Sequence, residues 1–297
     1  MDMMIAVTIA QFYDPSLRCF TFSDFQLAST LEEFERIIDQ NLKDHNPFPK
    51  FDEGIPSKRI ALALGLKVSE VVDNWDVKGA FNGFSRKFLE DQAKKMEKEG
   101  NWKVFYAVLA VLVYGIVIFP NIDHFVEHLA VRIFLSGNPI LFLLADLHYA
   151  LHERHEKKGG TILCCAQLLH AWFRSYMLGE GPFVSKELNP SQKLTSLTPN
   201  HVKWYIRDCE TEDVIISIGD FPDVPLIGTK GCINYNPVLS LMQHGYPMNG
   251  PPRAEALEPF ILHNAEENHP TVKKIKRSWQ AIIRKGKELG KRNIIAR

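Results

Sequence analysis

Cysteine is scarce and poorly placed for a structural role. Five occur, Cys19, Cys164, Cys165, Cys209 and Cys232, an odd number scattered along 297 residues. No pair has metal-binding spacing, because Cys164 and Cys165 are adjacent and leave a helix on different sides. This argues against a disulfide framework and a thiolate metal site, and reduced thiols in an intracellular compartment, nuclear or cytoplasmic, are the expectation. Net charge is lacking too. Lys+Arg 35 against Asp+Glu 35 gives +0, so the molecule as a whole does not attract nucleic acid or anionic lipid. No basic residue precedes Arg18 and no small-residue cleavage site follows the opening MDMMIAVTIAQFYDP, which reads as a poor signal peptide.

What is present is a chain of ordinary globular composition, 45% hydrophobic and 24% charged, with mean hydropathy −0.13. Its most conspicuous stretch is 104–119, VFYAVLAVLVYGIVIF, with no charge between Lys103 and Asp123. A helix apolar on every side must be surrounded by core or by lipid. A membrane span takes ~20 apolar residues, close to this length, but Pro120, Asn121 and Asp123 stop the run at once. The core reading is preferred and a single span at 104–119 is the alternative. The predicted fold class is therefore mainly α: one helical domain around a central apolar helix, with small β hairpins. Residues 1–12 form an N-terminal arm, 13–265 the domain, and 266–297 a basic amphipathic helix and tail. On this reading Leu112→Asp unfolds the domain.

Along the chain, residues 19–27 alternate around Ser23-Asp24 and read as a short hairpin. Thr30 and Glu33 have capping-box spacing ahead of a helix carrying Leu31, Phe34, Ile37 and Ile38. Residues 85–98 form an amphipathic helix with Phe88, Leu89, Ala93 and Met96 inward. Further helices are expected at 123–135, 140–156 and 161–177, broken by Gly137-Asn-Pro139 and Gly159-Gly160. After Gly179 the texture loosens, with a helix at about 200–208, a strand at 214–218 and a helix at 238–243.

Several motifs invite chemistry. Residues 57–75 have the outline of a helix-turn-helix, with Gly65 at the turn, but Glu70, Asp73 and Asp76 would face phosphate, so two structural helices are expected. His124 and His128 are four apart, and His148, His152 and His155 share a helical face near Asp146 and Glu156, which makes a metal-dependent enzyme a further alternative. The order is His152-Glu-Arg-His155 rather than His-Glu-x-x-His, and half-exposed histidines flanking a leucine face are the preferred reading. Gly228-Thr-Lys-Gly231 lacks the G-x-x-x-x-G-K-[ST] order of a phosphate loop. No catalytic constellation and no cofactor site is recognised. The charge asymmetry lies at the C-terminal end, where Lys273, Lys274, Lys276, Arg277, Arg284, Lys285 and Lys287 face only Glu288. With Val272, Ile275, Trp279, Ile282 and Ile283 on one side, this is a basic amphipathic helix: either it is suited to nucleic acid or a nuclear protein partner, with a membrane surface disfavoured, or it is a final helix whose apolar stripe packs on the domain while its basic face stays solvated.

Four segments together carry a resemblance: the hairpin with its Thr-Leu-Glu-Glu-Phe helix, the run ending Leu-Val-Tyr-Gly-Ile-Val-Ile-Phe-Pro-Asn, Gly-Gly-Thr-Ile-Leu-Cys-Cys-Ala-Gln-Leu-Leu-His-Ala-Trp-Phe, and Gly-Cys-Ile-Asn-Tyr-Asn-Pro-Val-Leu with Gly-Tyr-Pro-Met. Over Tyr13 to Arg284 the chain resembles the plant mobile domain family (aminotransferase-like plant mobile domain) in its legume-type uncharacterised branch. The resemblance implies a mainly helical fold and a link to transposable elements or to their silencing in the nucleus. It carries over no catalytic residue. Nor does the chain show a Tyr-x-Asp-Asp motif, an acidic triad for strand transfer, or a lysine placed for a Schiff base.

Overall fold

The computed structural model describes residues 3–42, 48, 55–204, 211–264, 266 and 268–292. These form two compact units. One comprises Met1–Asn41, Ile140–Ile162 and Ala166–Arg297; the other comprises Leu42–Pro139 with Leu163–Cys165.

In the larger unit, Thr30 caps the helix Leu31–Ile38 by accepting from the Glu33 amide at 3.1 Å, and the Glu33 carboxylate returns to the Thr30 amide at 3.0 Å. This is the predicted capping box. The hairpin expected around Ser23-Asp24 also forms: Cys19–Thr21 pairs antiparallel with Gln26–Leu27, and Tyr13–Asp14 adds a third strand. The most deeply buried helix is Ile140–Glu156, whose residues from Ile140 to His148 are all buried. It packs against an antiparallel sheet in the order Ile261–His263, Gly231–Tyr235, Val224–Ile227. A helix buried on two faces has little amphipathic pattern, which is why its leucines alone do not reveal its surroundings.

In the smaller unit the helices Ser57–Leu64 and Val68–Asp73 precede a three-stranded antiparallel sheet of Asp76–Lys78, Phe81–Ser85 and Phe125–Glu127. Ser85 then caps the helix Arg86–Lys98, accepting from the Phe88 amide at 3.2 Å. Leu89, Ala93 and Met96 face inward as expected. The first half of the segment expected as a helix at 123–135 is the strand Phe125–Glu127, and the helix is His128–Ser136. Gly83 permits that pairing, since a Cβ there would run into the Val126 carbonyl oxygen.

The expectation of a mainly α, single helical domain around a central apolar helix is overturned. Among the described residues the fold is mixed α/β, with thirteen α-helices and four antiparallel sheets. The run 104–119 does not form one buried helix. The α-helix Trp102–Val113 passes into a π-helical turn at Tyr114–Ile118, where Gly115 lets the backbone lie against the Val126 side chain. Only Val108 and Val111 of the α-helix are buried, while Tyr106 is 62% and Leu109 42% exposed. Uniform apolarity shows what a helix tolerates beside it, not what is there. Leu112 is half-buried, so the weight placed on it belongs to Val108 and Val111. The region 161–177 is likewise shorter than expected, a helix at Ala166–Tyr176. The helix expected at about 200–208 is a 3-10 turn at Pro199–His201, and residues 205–210 lie outside the described residues.

Candidate functional site

The C-terminal cations are placed by three successive elements of the larger unit. Pro270 at the first helical position and the His269 ring, accepting from the Thr271 amide at 3.2 Å, start the helix Pro270–Ser278. Val272 and Ile275 bury its apolar stripe. A 3-10 turn, Trp279–Ala281, follows, with the Trp279 indole donating to the Pro225 carbonyl at 3.0 Å. Residues Ile282–Lys285 are then a strand, paired antiparallel with Val214–Ile218 through Ile282↔Ile218 and Lys285↔Val214. The segment read as one basic helix is thus a nine-residue helix and a strand. The β-branched pair Ile282-Ile283 is the sequence signal for this strand, and its residues satisfy a strand period as well as the helical one.

This division sorts the seven cations. Lys273, Lys274 and Arg277 are exposed on the helix, and Lys285 and Lys287 are exposed beyond it. Lys274 Nζ lies 4.9 Å from the centre of the Phe221 ring, a cation–π contact that leaves its charge at the surface. Arg284 is half-buried and forms an ion pair with Glu35 at 3.7 Å. Lys276 is half-buried, its charge beside Cys232, whose thiol burial pushes up to about 12. Arg292 spends its guanidinium on the Tyr246 hydroxyl at 2.7 Å and on that ring. Five of the predicted cations therefore remain available to an external anion.

The histidines do not converge. His148 is fully buried and its Nδ1 shares a hydrogen bond with the Tyr13 hydroxyl at 3.0 Å. Burial and the Arg18 charge push the imidazole down to about 3, so it is neutral. His152 and His155 instead line an open cleft of about 450 Å³ with Gln11, Asp14, Thr21 and Glu156. His152 is held below its ordinary value, mainly by burial. The cleft offers the carboxylates of Asp14 and Glu156 beside the two imidazoles, but no group of three or more His, Cys, Asp or Glu able to hold a metal exists among the described residues.

The Gly228–Gly231 segment is the turn between strands Val224–Ile227 and Gly231–Tyr235, closed by Gly228 N donating to Gly231 O at 2.8 Å. Its donors serve an internal anion. Thr229 gives its amide (2.7 Å) and hydroxyl (2.5 Å) to Asp146, and Lys230 Nζ is 3.9 Å from that carboxylate. Asp146 is 1% exposed, so the turn holds a buried aspartate in place of a phosphate.

Two buried polar clusters had no sequence signal beyond the Thr30–Glu33 spacing. Glu33 accepts from the Trp172 indole at 2.9 Å, from the Tyr176 hydroxyl and from Gln243 Nε2 at 2.9 and 3.1 Å. Glu32 accepts from the Ile215 amide at 3.1 Å and Ser240 at 3.3 Å. Elsewhere Arg18, 2% exposed, donates to the carbonyls of Ala256 (3.3 Å) and Glu258 (2.8 Å). Its charge faces Asp223, whose carboxyl burial pushes up to about 7 against that attraction.

Fold and surface together define a mixed α/β protein whose larger unit bears a cationic edge and whose buried polar groups serve its own packing. The chain belongs to the family described as a domain of unknown function, DUF7745, whose model matches residues 1–297. No curated protein and no solved structure matches it. Among the described residues no helix is long and apolar enough to cross a membrane, which removes the ground for a span at 104–119.

Proposed function

We propose that this chain is a non-enzymatic interaction domain linked to transposable elements or their silencing in the nucleus, and that its exposed C-terminal cations contact nucleic acid. The observation that carries the contact is the sorting of charge on the helix Pro270–Ser278 and the residues after it. Lys273, Lys274, Arg277, Lys285 and Lys287 point to solvent, and Glu288 is the sole acid between Thr271 and Arg292. The transposon link rests on the resemblance to plant mobile domains. Phosphate contacts of this kind position a protein without reading sequence, which suits a surface of four lysines and one arginine spread over a helix, a strand and the residues after it.

The test is equilibrium binding of the full chain to duplex DNA and single-stranded RNA across salt concentrations. Deleting 271–297 would remove the strand paired with Val214–Ile218, so the comparison uses Lys273→Gln, Lys274→Gln, Arg277→Gln, Lys285→Gln and Lys287→Gln in one chain. Five neutralised phosphates give a log–log salt slope of about −4.5, or roughly 500-fold weaker binding between 50 and 200 mM salt. The substituted chain should lose that slope while keeping its melting temperature. Binding unchanged by the substitutions overturns the interface, and no binding by the intact chain turns the cations into a protein-docking edge.

A further inference from the structure

Two helices of the smaller unit pack on each other and turn opposite kinds of surface to solvent. On Arg86–Lys98 the exposed positions are Lys87, Asp91, Lys94, Lys95, Glu97 and Lys98, every one of them charged. That is the ordinary division of an amphipathic helix. On Trp102–Val113 the exposed positions are Trp102, Lys103, Tyr106, Leu109 and Val113. At ~100° per residue the four other than Lys103 fall within about 60° of arc. The buried Val108 and Val111 lie on the opposite side. This helix therefore has two apolar faces, one set into the unit and one left outside it.

The outer face is a row, not a scatter. Trp102 is 52%, Tyr106 62%, Leu109 42% and Val113 40% exposed. Single exposed apolar residues are normal on a protein surface, whereas a contiguous apolar patch marks an interaction site. The row opens in an aromatic cluster: the Trp102 ring meets Phe105 edge-on at 5.6 Å and lies 6.5 Å from Tyr106. Tryptophan and tyrosine are the residue types that most often anchor an interface.

We propose that this face is the contact between two copies of the chain, their helices antiparallel about a two-fold axis. The order of the row decides for a second copy. Positions 102, 106, 109 and 113 are spaced four, three and four apart, which reads the same in both directions. Reversal sets Tyr106 against the second copy's Leu109 and Trp102 against its Val113, a larger side chain facing a smaller one each time. No charge occurs between Lys103 and Asp123, so no like charges meet along the row, and antiparallel helix dipoles offset one another. The four side chains expose on the order of 400 Å² per copy, so pairing buries roughly 800 Å² before the rim is counted. That is the low end of specific interfaces and far below an obligate one, which makes the dimer reversible and its monomer folded.

The experiment is sedimentation velocity of the full chain over a range of concentrations, in about 1 M salt to screen contacts made by the C-terminal cations. The chain should pass from monomer to dimer with a Kd on the order of 10 to 100 µM. Leu109→Lys and, separately, Tyr106→Glu should each weaken the dimer ~10-fold or more, by placing a charge in the apolar contact. Circular dichroism and, below the Kd, the melting temperature of both variants should match the unsubstituted chain. Because the pairing sets 106 against 109, an equimolar mixture of the two variants should recover a dimer through one Lys–Glu contact and one native contact. Leu109→Lys mixed with Val113→Glu should not recover it. A chain that stays monomeric well above this range, or a dimer unaffected by Leu109→Lys, overturns the interface. Loss in both variants with no recovery in their mixture overturns the antiparallel register.

Discussion

Glu33 shows how a single side chain can hold several elements at once. It caps its own helix and also receives the indole of Trp172, the hydroxyl of Tyr176 and the amide of Gln243, all in one buried site. Glu33→Ala strands those donors away from water and should destabilise the fold by about 3 kcal/mol or more, measured by urea unfolding. Asp223 and His148, both next to Arg18, give a pH signature of opposite signs. The His148 imidazole titrates at 6.5 unfolded and about 3 folded, so its contribution is present above pH 6.5 and is lost as pH falls toward 3. Asp223 titrates at 3.8 unfolded and about 7 folded, so its stabilisation is full below pH 3.8 and is lost as pH rises through 7. Among the described residues its Oδ2 has no hydrogen-bond partner, so a charge there would be uncompensated by donors, which favours the protonated acid. The stability advantage of the unsubstituted chain over Asp223→Asn should therefore grow on acidification from pH 7 toward 3.8, by at most about 1.4 kcal/mol per pH unit. An advantage that shrinks over that interval contradicts the assignment.

At the scale of elements, the helix Trp102–Val113 separates what pattern tells from what packing decides. Its apolar residues were plain to read, but a helix with no polar face gives no sign of which side is covered. The structure covers Val108 and Val111 and leaves Tyr106 and Leu109 outward. Leu109→Lys should change stability by no more than about 0.5 kcal/mol, whereas Val108→Asp should abolish cooperative melting of the smaller unit by placing an unpaired charge inside it. Equal tolerance of both substitutions would sink this orientation. Local chemistry was legible wherever neighbours in sequence satisfy one another: the Thr30–Glu33 cap, the Cys19–Leu27 hairpin, the break at Gly137. It was not legible where partners are distant. The strands Val224–Ile227 and Gly231–Tyr235 sit in a stretch dense in Gly, Pro and Asn, and their pairing becomes visible only with the helix Ile140–Glu156 beneath them. The candidate sites follow the same rule. The cations could be counted in the sequence, but which of them Glu35 or burial would claim could not.

At the scale of the whole chain, the smaller unit is an almost uninterrupted insertion. Residues 42–139 enter and leave between Asn41 and Ile140, so the larger unit is discontinuous and the smaller one is nearly not. That difference has a folding consequence. The larger unit must bring Tyr13, Glu33 and the strands after Val214 together across a long loop, and loop closure rises only slowly with length, so an inserted domain costs it little. The inserted segment has a core of its own, with Phe84, Leu89, Val108, Val111, Phe125 and Val126 buried and a complete three-stranded sheet. At roughly 100 residues it is within the size at which single domains fold alone. Residues 42–139 expressed by themselves should therefore melt cooperatively. They should also show a near-ultraviolet circular dichroism signal from Trp75, whose ring meets Phe84 edge-on at 4.9 Å. The remaining chain, joined from Asn41 to Ile140 by a short glycine-serine linker, should retain the Glu33 cluster and with it Trp172 buried from quenchers. If the excised segment is unstructured while the full chain melts in one transition, the two units are a single cooperative domain, and the Val108→Asp effect must then spread to Trp172.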